Sequence, residues 1–252
     1  MNDCSTKPTP MVPVANHKIP RKPLTKLDVP YRSVVGYLQY LVTCTRLDLA
    51  HSVGYVARFQ AAPQPLHWKL VKRILKYLKG TKSMGIWFTS TKSEIKLDAF
   101  ADADFAAEVT QKSTTGYLIR MYGMPVMWAS HLQKSISEST SEAELKALCA
   151  AAHDICFLRE LTKELLYKIE GPTTLYEDNV GAIRHCNLYA SRGRIRHLEL
   201  CFFKAQEYVA HGILKIAKVS SQEQLADALT KPLLETPFLK VLPLLMDSKP
   251  RD

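Results

Sequence analysis

Four acidic residues stand at positions where the geometry of the chain directs them toward a sheet or its edge. Asp102 lies in a segment that alternates as a strand does, with Asp104 on the same face. Because aspartate is depleted in strands, two aspartates on one strand face are unexpected. Glu144 shares the apolar side of a long helical segment, where a carboxylate needs a partner or a metal ion. Asp178 lies between a short strand and a helix, and Asp227 lies between apolar neighbours in the last predicted helix.

Each of these acids, taken alone, also fits a structural role. Asp102 could mark a strand end or a turn, and Asp178 could cap the helix that follows it. Glu144 could complete a capping box that begins at Ser141, and Asp227 could lie on a solvated helix face. Taken together, the carboxylates are the hard oxygen ligands that Mg²⁺ requires. Two such ions, about 3.5–4 Å apart, activate a water and stabilise the leaving oxygen of a phosphodiester, so the set predicts metal-dependent phosphodiester cleavage.

The charge balance of the chain favours a polyanionic partner. Its 252 residues carry 34 Lys and Arg against 24 Asp and Glu, a formal net charge of +10, and nucleic acid is the commonest polyanion. After Pro65, an amphipathic helical segment has a lysine stripe on its polar side. That stripe is either a solvated face or a ridge that contacts phosphates. Its members are Lys69, Lys72, Lys76 and Lys79.

The elements that would position these residues are helical at first and mixed afterwards. Apolar residues recur at helical spacing from Tyr31 to about Lys79. Beyond a boundary near Ser83, β-branched and aromatic runs predict strands, followed by helices and strands in alternation. The predicted strands are 85–89, 95–105, 116–122, 124–132, 174–177 and 213–219, and the predicted helices are 141–168, one that begins near Asn179, 197–211 and 222–230. This order predicts an α/β fold, a mixed sheet with helices packed on it, preceded by a small all-helical segment.

Composition excludes several classes of protein. Hydrophobic residues make up 46% and charged residues 23% of the chain, which is typical of a globular rather than a disordered protein. No stretch approaches the roughly 18 consecutive apolar residues of a transmembrane helix, and the N-terminus has no apolar run typical of a signal peptide. The six cysteines form no Cys-x-x-Cys pair, which disfavours a zinc site or a disulfide framework. We therefore expect an intracellular protein, cytoplasmic or nuclear, with no membrane partner.

Short motifs follow one another in a characteristic order along nearly the whole chain. They are Tyr31-Arg-Ser-Val-Val-Gly, Thr45-Arg-Leu-Asp-Leu-Ala, His67-Trp-Lys, Arg73-Ile-Leu-Lys-Tyr-Leu-Lys-Gly-Thr, Asp102-Ala-Asp-Phe-Ala, Lys112-Ser-Thr-Thr-Gly-Tyr, Ser139-Thr-Ser-Glu-Ala-Glu, Glu177-Asp-Asn and Gln224-Leu-Ala-Asp-Ala-Leu-Thr-Lys-Pro-Leu. With this order and spacing, the chain resembles the C-terminal part of a copia-type retrotransposon Pol polyprotein. That part comprises the end of the reverse transcriptase and the ribonuclease H domain that follows it.

The resemblance implies a domain organisation and a fold. Residues 1–30, which hold six of the 14 prolines, are expected to form an extended linker or tail. Residues 31–82 would be a helical thumb or connection remnant of the reverse transcriptase, and 83–232 a ribonuclease H-like domain. Residues 233–252 would be a C-terminal tail. The ribonuclease H-like domain implies a five-stranded mixed sheet flanked by helices.

The resemblance also implies an activity and the residues that carry it. Asp102, Glu144, Asp178 and Asp227 match the four family positions that bind two Mg²⁺ ions, for which Mn²⁺ could substitute. Asp104 and Glu142 match neighbouring positions that we expect to be secondary. The implied activity is Mg²⁺-dependent endonucleolytic cleavage of the RNA strand of RNA–DNA hybrids. The implied partners are the hybrid itself and the upstream reverse transcriptase portion of the polyprotein.

The chain departs from the family pattern in its last third. After Ser191 the family's second histidine is missing, and Cys201 replaces an arginine. Basic character persists, so the expected nucleic-acid contacts are Lys69, Lys72, Lys76, Lys79, Arg192, Arg194, Arg196 and His197. No Tyr-x-Asp-Asp occurs, so the polymerase centre is not in this chain. These departures leave open an alternative, a catalytically impaired retroelement-derived protein that binds nucleic acid or acts as a scaffold.

Overall fold

A computed structural model of the chain describes residues 4–13, 28–88, 95–106, 110–169, 171–187 and 200–248. The chain divides into two compact units, one of residues 1–87 and 231–252 and the other of residues 88–230. The predicted contacts Arg192, Arg194, Arg196 and His197 lie outside the described residues. Within the described ranges, no helix combines the length and the apolar character that crossing a membrane requires.

The first unit is mostly helical. Its helices are α1 (Tyr31–Cys44), α2 (Ala50–Ala57), α3 (Pro65–Gly80) and α8 (Glu235–Leu245), with a short 3-10 helix at Leu47–Leu49. Two short strands, β1 (Met84–Gly85) and β7 (Asp247–Ser248), pair antiparallel. A buried polar network joins these elements: Arg46 Nη2 lies 2.8 Å from Asp48 Oδ2, and the Tyr77 hydroxyl donates to the same oxygen at 2.7 Å. Because each buried charge has a partner, the apolar core can close around the network.

Parts of both terminal segments pack against these helices. Thr9 and Met11 are buried, and Arg73 Nη2 donates to Thr9 Oγ1 at 2.7 Å. At the other end, α8 buries apolar residues at helical spacing, and the Phe238 ring meets the edge of Tyr77 with centroids 5.9 Å apart. The sequence predicts a linker or tail for 1–30 and a C-terminal tail for 233–252. Among the described residues of these two segments, Met11 and Phe238 are buried and add apolar packing surface to the first unit.

The second unit is built on a five-stranded mixed sheet of order β4-β3-β2-β5-β6. Its strands are β2 (Leu97–Asp104), β3 (Thr114–Met121), β4 (Met124–Leu132), β5 (Thr173–Glu177) and β6 (Leu214–Lys218). The β2–β3 and β3–β4 pairs are antiparallel, whereas β2–β5 and β5–β6 are parallel. Its helices are α4 (Thr140–Glu164), α5 (Val180–Asn187), α6 (Leu200–Ala210) and α7 (Asp227–Thr230). The predicted five-stranded mixed sheet flanked by helices is confirmed.

The core of this unit lies between the sheet and α4. Ala99 and Ala101 of β2 are fully buried in one cluster with Leu148 and Ile155 of α4. The small strand residues let the helix approach the sheet closely. Because successive strand residues point to opposite faces, this burial directs Asp102 to the other face.

Two predicted elements differ from the observed ones. Of the segment predicted as strand 85–89, Gly85 lies in β1, which pairs with β7 and not with the large sheet, and the described residues 86–88 are not in a strand. Of the predicted helix 222–230, only Asp227–Thr230 is helical, and the residues before it form turns. The side-chain amide of Gln224 holds these turns against β2 by donating to the Ala101 carbonyl at 2.8 Å. This hydrogen bond joins residues that are remote in sequence, and the backbone around Gln224 forms turns rather than a helix.

Candidate metal centre

Asp102 lies inside a strand and not at its end. It sits within β2, pairs in register with Gly116 of β3, and is 3% exposed. Its carboxylate accepts a hydrogen bond from the hydroxyl of Thr230, which is itself fully buried. A structural role at a strand end, the alternative for this residue, is therefore wrong.

Glu144 lies in the second turn of α4 and does not cap it. Ser139 is the N-cap, and its Oγ accepts from the Glu142 amide at 3.2 Å. Glu142 completes the cap, since its carboxylate accepts from the Glu138 amide at 2.8 Å and pairs with Lys146 at 2.8 Å. Glu144 is 7% exposed, and its Oε2 has no hydrogen-bond partner among the described residues. The capping-box alternative for Glu144 is wrong, and the side chain is available for another role.

Asp178 follows β5 and likewise leaves capping to a neighbour. Asn179 Oδ1 accepts from the Ala182 amide at 3.1 Å, at the start of α5. The Asp178 carboxylate instead accepts from Ser221 Oγ at 2.7 Å. A Cβ at Gly181 would lie only 2.6 Å from the Ser141 hydroxyl oxygen, so the starts of α4 and α5 are in direct contact. This contact brings the helix that carries Glu144 close to the turn that carries Asp178.

The three carboxylates meet at one point. One oxygen from each of Asp102, Glu144 and Asp178 lies within 4.8 Å of the others. Burial, followed by the charges of Glu177, Asp102 and Asp178, raises the pKa of Glu144 well above its ordinary value. Three carboxylates gathered at one place, two of them buried and one oxygen of Glu144 unpartnered, match the ligand preference of a divalent cation. The residues present therefore fit the metal that the resemblance implies.

The fourth predicted ligand, Asp227, is not one of these three. It is the first residue of α7 and is half-buried. The helix that begins with Asp227, α7, nevertheless contacts the centre, because the hydroxyl of its last residue, Thr230, donates a hydrogen bond to Asp102. Of the two residues predicted to be secondary, Glu142 completes the α4 cap, and Asp104 ends β2 opposite Thr114.

Glu177 is an acid near the centre that the sequence analysis did not single out. It ends β5, is fully buried, and its Oε1 accepts from the amides of Asp178 at 3.1 Å and Asn179 at 3.0 Å. Burial, together with the charges of Asp102 and Asp178, raises its pKa. One signal could have revealed it. Alternation along β5 places Glu177 on the same buried face as Thr173 and Leu175.

The lysine stripe of α3 is only partly exposed. Lys69 and Lys72 are exposed, whereas Lys76 and Lys79 are half-buried. The Lys79 ammonium donates to the Cys4 carbonyl at 2.8 Å, so this lysine fastens the N-terminal segment to α3. The exposed part of the stripe is the pair Lys69 and Lys72.

Comparison with known proteins identifies the family. No family model matches the chain. It is 34% identical over 240 residues to the retrovirus-related Pol polyprotein from transposon RE2 of Arabidopsis thaliana, an alignment that covers 94% of the chain. It is 38% identical over 205 residues, or 81% of the chain, to the corresponding polyprotein from transposon TNT 1-94 of Nicotiana tabacum. The chain belongs to the copia-type retrotransposon Pol family. It spans 16% and 15% of the length of these two relatives.

Solved structures also align with part of this Pol segment. LC11-RNase H1, crystallised in complex with an RNA/DNA hybrid, aligns at a TM-score of 0.41 and 15% sequence identity. That alignment covers 54% of the Pol segment and 94% of LC11-RNase H1. The resemblance found in the sequence is confirmed, because the chain is similar over most of its length to a segment of copia-type retrotransposon Pol polyproteins.

Proposed function

We propose that this Pol segment is a Mg²⁺-dependent endonuclease that cleaves the RNA strand of RNA–DNA hybrids. One observation carries the proposal: the convergence of Asp102, Glu144 and Asp178, the first two of them buried, with an oxygen of Glu144 left unpartnered. Membership of the Pol family supports it. In this proposal residues 31–82 are the end of the reverse transcriptase and 83–232 the ribonuclease H domain.

The proposed cofactor is a pair of Mg²⁺ ions, with Mn²⁺ as a substitute. Asp102, Glu144 and Asp178 would hold them, and Asp227 would contribute from the side of α7. When bound there, the ions would activate a water and stabilise the leaving oxygen of the phosphodiester. The chain orients its own ligands beforehand, because Thr230 donates to Asp102 and Ser221 donates to Asp178 at 2.7 Å.

The proposed substrate is held through its phosphates. The net charge of +10 favours a polyanion, and Lys69 and Lys72 offer exposed ammonium groups. Arg192, Arg194, Arg196 and His197 are further proposed contacts. Selection of RNA over DNA would depend on 2′-hydroxyl contacts and on duplex shape. In the polyprotein, the upstream reverse transcriptase portion would supply the hybrid.

Hybrid cleavage with two matched variants tests the proposal. We expect the wild-type chain to cut a labelled RNA–DNA hybrid with Mg²⁺ and to stop cutting in EDTA. Asp102→Asn should reduce the cleavage rate by about 100-fold or more, because it removes a ligand charge from the reacting site. Asp98→Asn is the control, since Asp98 lies on the same strand but pairs with Arg120. It should retain cleavage.

Two results would contradict the proposal. Equal cleavage by the wild type and Asp102→Asn would show that the carboxylate centre is not the catalytic site. Salt-sensitive hybrid binding without cleavage in either protein would favour the alternative, a binding or scaffold protein derived from a retroelement.

A further inference from the structure

The two carboxylate oxygens of Glu177 have different surroundings. Oε1 accepts two hydrogen bonds from consecutive backbone amides, those of Asp178 and Asn179. Oε2 is buried and has no hydrogen-bond partner in the described part of the chain. The residue as a whole is fully buried. Glu177 Oε2 is therefore removed from water without a hydrogen-bond donor to compensate for the cost of its desolvation.

Glu177 Oε1, the oxygen with hydrogen-bond partners, contacts the turn that carries Asp178, one of the proposed metal ligands. Asp178 leaves the end of β5, and Asn179 begins the cap of α5 by accepting from Ala182 at 3.1 Å. Because Glu177 accepts hydrogen bonds from the amides of both Asp178 and Asn179, it fixes the backbone of this turn before any cation binds. The direction of the Asp178 carboxylate follows from that backbone.

The unpartnered oxygen belongs to a side chain surrounded by like charges. Glu177 interacts electrostatically with Asp102 and Asp178, and it is the charged group that acts most strongly on Glu144. Four carboxyl groups thus influence one another in a buried region. Their mutual repulsion is relieved by a cation, so each of the four strengthens the preference of the site for one.

We propose that Glu177 is a positioning residue of the metal centre. It holds Asp178 in a ligating direction and adds a fourth carboxylate, which increases the affinity of the centre for divalent cations. This inference rests on the proposed function, because it concerns the same centre.

Two substitutions at Glu177 separate its hydrogen bonds to the Asp178 turn from its carboxylate charge. Glu177→Gln keeps the shape and the oxygen that accepts the two amides but removes the charge, whereas Glu177→Ala removes both. Glu164→Gln, at an exposed position at the end of α4, is the matched control. Mn²⁺ binding to the full chain would be measured by electron paramagnetic resonance of the free ion. Thermal unfolding would be followed in EDTA and with Mn²⁺.

We expect Glu177→Gln to raise the half-saturating Mn²⁺ concentration by about fivefold or more, which corresponds to about 1 kcal/mol, the interaction of one charge about 4 Å away even when water screens it fully. Its Tm in EDTA should equal or exceed that of the wild type, because the amide oxygen still accepts the two backbone hydrogen bonds and a buried acid is removed. Glu177→Ala should lose affinity in the same way and also unfold at a lower temperature in EDTA, because the turn loses its acceptor.

Three results would overturn the inference. Unchanged Mn²⁺ affinity in Glu177→Gln, with normal binding by the wild type, would overturn it and leave the proposed function standing. A lower Tm in EDTA for Glu177→Gln, with a proportionate loss of binding, would show a merely structural residue. Wild-type binding no stronger than that of Asp102→Asn would contradict the metal centre itself and the proposed function with it.

Discussion

At the scale of single residues, the metal-free protein should lose stability as pH rises. Burial and neighbouring acids raise the pKa values of Glu144 and Glu177, so folding favours their protonated forms. For a raised pKa, the stabilisation is fully present below the ordinary glutamate pKa and is lost as pH rises toward the folded value. In EDTA we expect the free energy of unfolding to fall between about pH 5 and pH 9, by up to about 1.4 kcal/mol per pH unit for each of the two groups.

Thermal and urea unfolding across this pH range check the expectation. Glu144→Gln should flatten the pH dependence, because an amide does not titrate. Saturating Mg²⁺ should restore stability at the alkaline end through linkage, since it binds the ionised carboxylates of the folded state. A stability in EDTA that is independent of pH would contradict this account of the centre.

The residue scale also shows what local pattern can reveal. The types and positions of Asp102, Glu144 and Asp178 were predicted from strand alternation, helical periodicity and the place of a strand end. The alternatives of Glu144 and Asp178 as caps were equally local, and only the observed hydrogen bonds exclude them. Ser139 and Asn179 satisfy the free amides at the two helix starts, which leaves Glu144 and Asp178 without a capping role.

At the scale of elements, the placement of α7 on the sheet depends on a glycine. A Cβ at Gly116 would lie 2.6 Å from Thr230 Cγ2 and 2.9 Å from Leu229 Cβ. The close approach lets Thr230 reach Asp102, which pairs with Gly116 across the strands. Gly116→Ala should force α7 away from β3 and destabilise the fold by about 1–3 kcal/mol, the usual range for overpacking.

Urea unfolding would measure this effect against Gly36→Ala. Gly36 lies within α1 with nothing near its missing Cβ, so alanine there should stabilise the helix by up to about 1 kcal/mol. The two variants therefore make the same chemical change with opposite expected signs. Equal stability of Gly116→Ala and the wild type would mean that α7 does not rest on β3 in solution.

Elements whose residues show the period of a strand or a helix were predictable from the sequence. Elements whose conformation depends on contacts with residues remote in sequence were not. The strands β2, β3 and β4 and the long helix α4 follow from alternation and periodicity. The turns before Asp227 were mistaken for helix, because their apolar spacing suits one. The deciding contact is the bond from Gln224 to the Ala101 carbonyl, which joins residues 123 positions apart. No window of local sequence contains both partners.

At the scale of the whole molecule, specific lysines should account for more of the hybrid affinity than net charge does. Lys69→Glu with Lys72→Glu removes the exposed part of the α3 stripe. Lys163→Glu with Lys240→Glu makes the same change in net charge at exposed positions elsewhere. If two phosphate contacts are lost, the slope of log affinity against log salt should become shallower by about 2 in the first variant only.

Fluorescence anisotropy with a labelled hybrid at several salt concentrations measures both affinity and slope. The first variant should bind about tenfold more weakly at moderate salt, and the second should stay close to the wild type. Equal weakening in both would show that the surplus charge acts diffusely and that α3 is not a contact surface.

The sequence by itself determined the order of elements, the chemical character of the acids and, through its motifs, membership of the Pol family. These properties depend on the types of the residues and on their spacing within a helix or a strand. Both can be seen in a short stretch of sequence. Only the tertiary structure decided which acids meet. It brings Asp102, Glu144 and Asp178 together, leaves Asp227 outside that trio, and sets the buried Glu177 against the backbone amide of Asp178. The physical reason is that proximity between remote residues depends on how the elements pack, as at Gly116 and Gly181, and no local pattern specifies that packing.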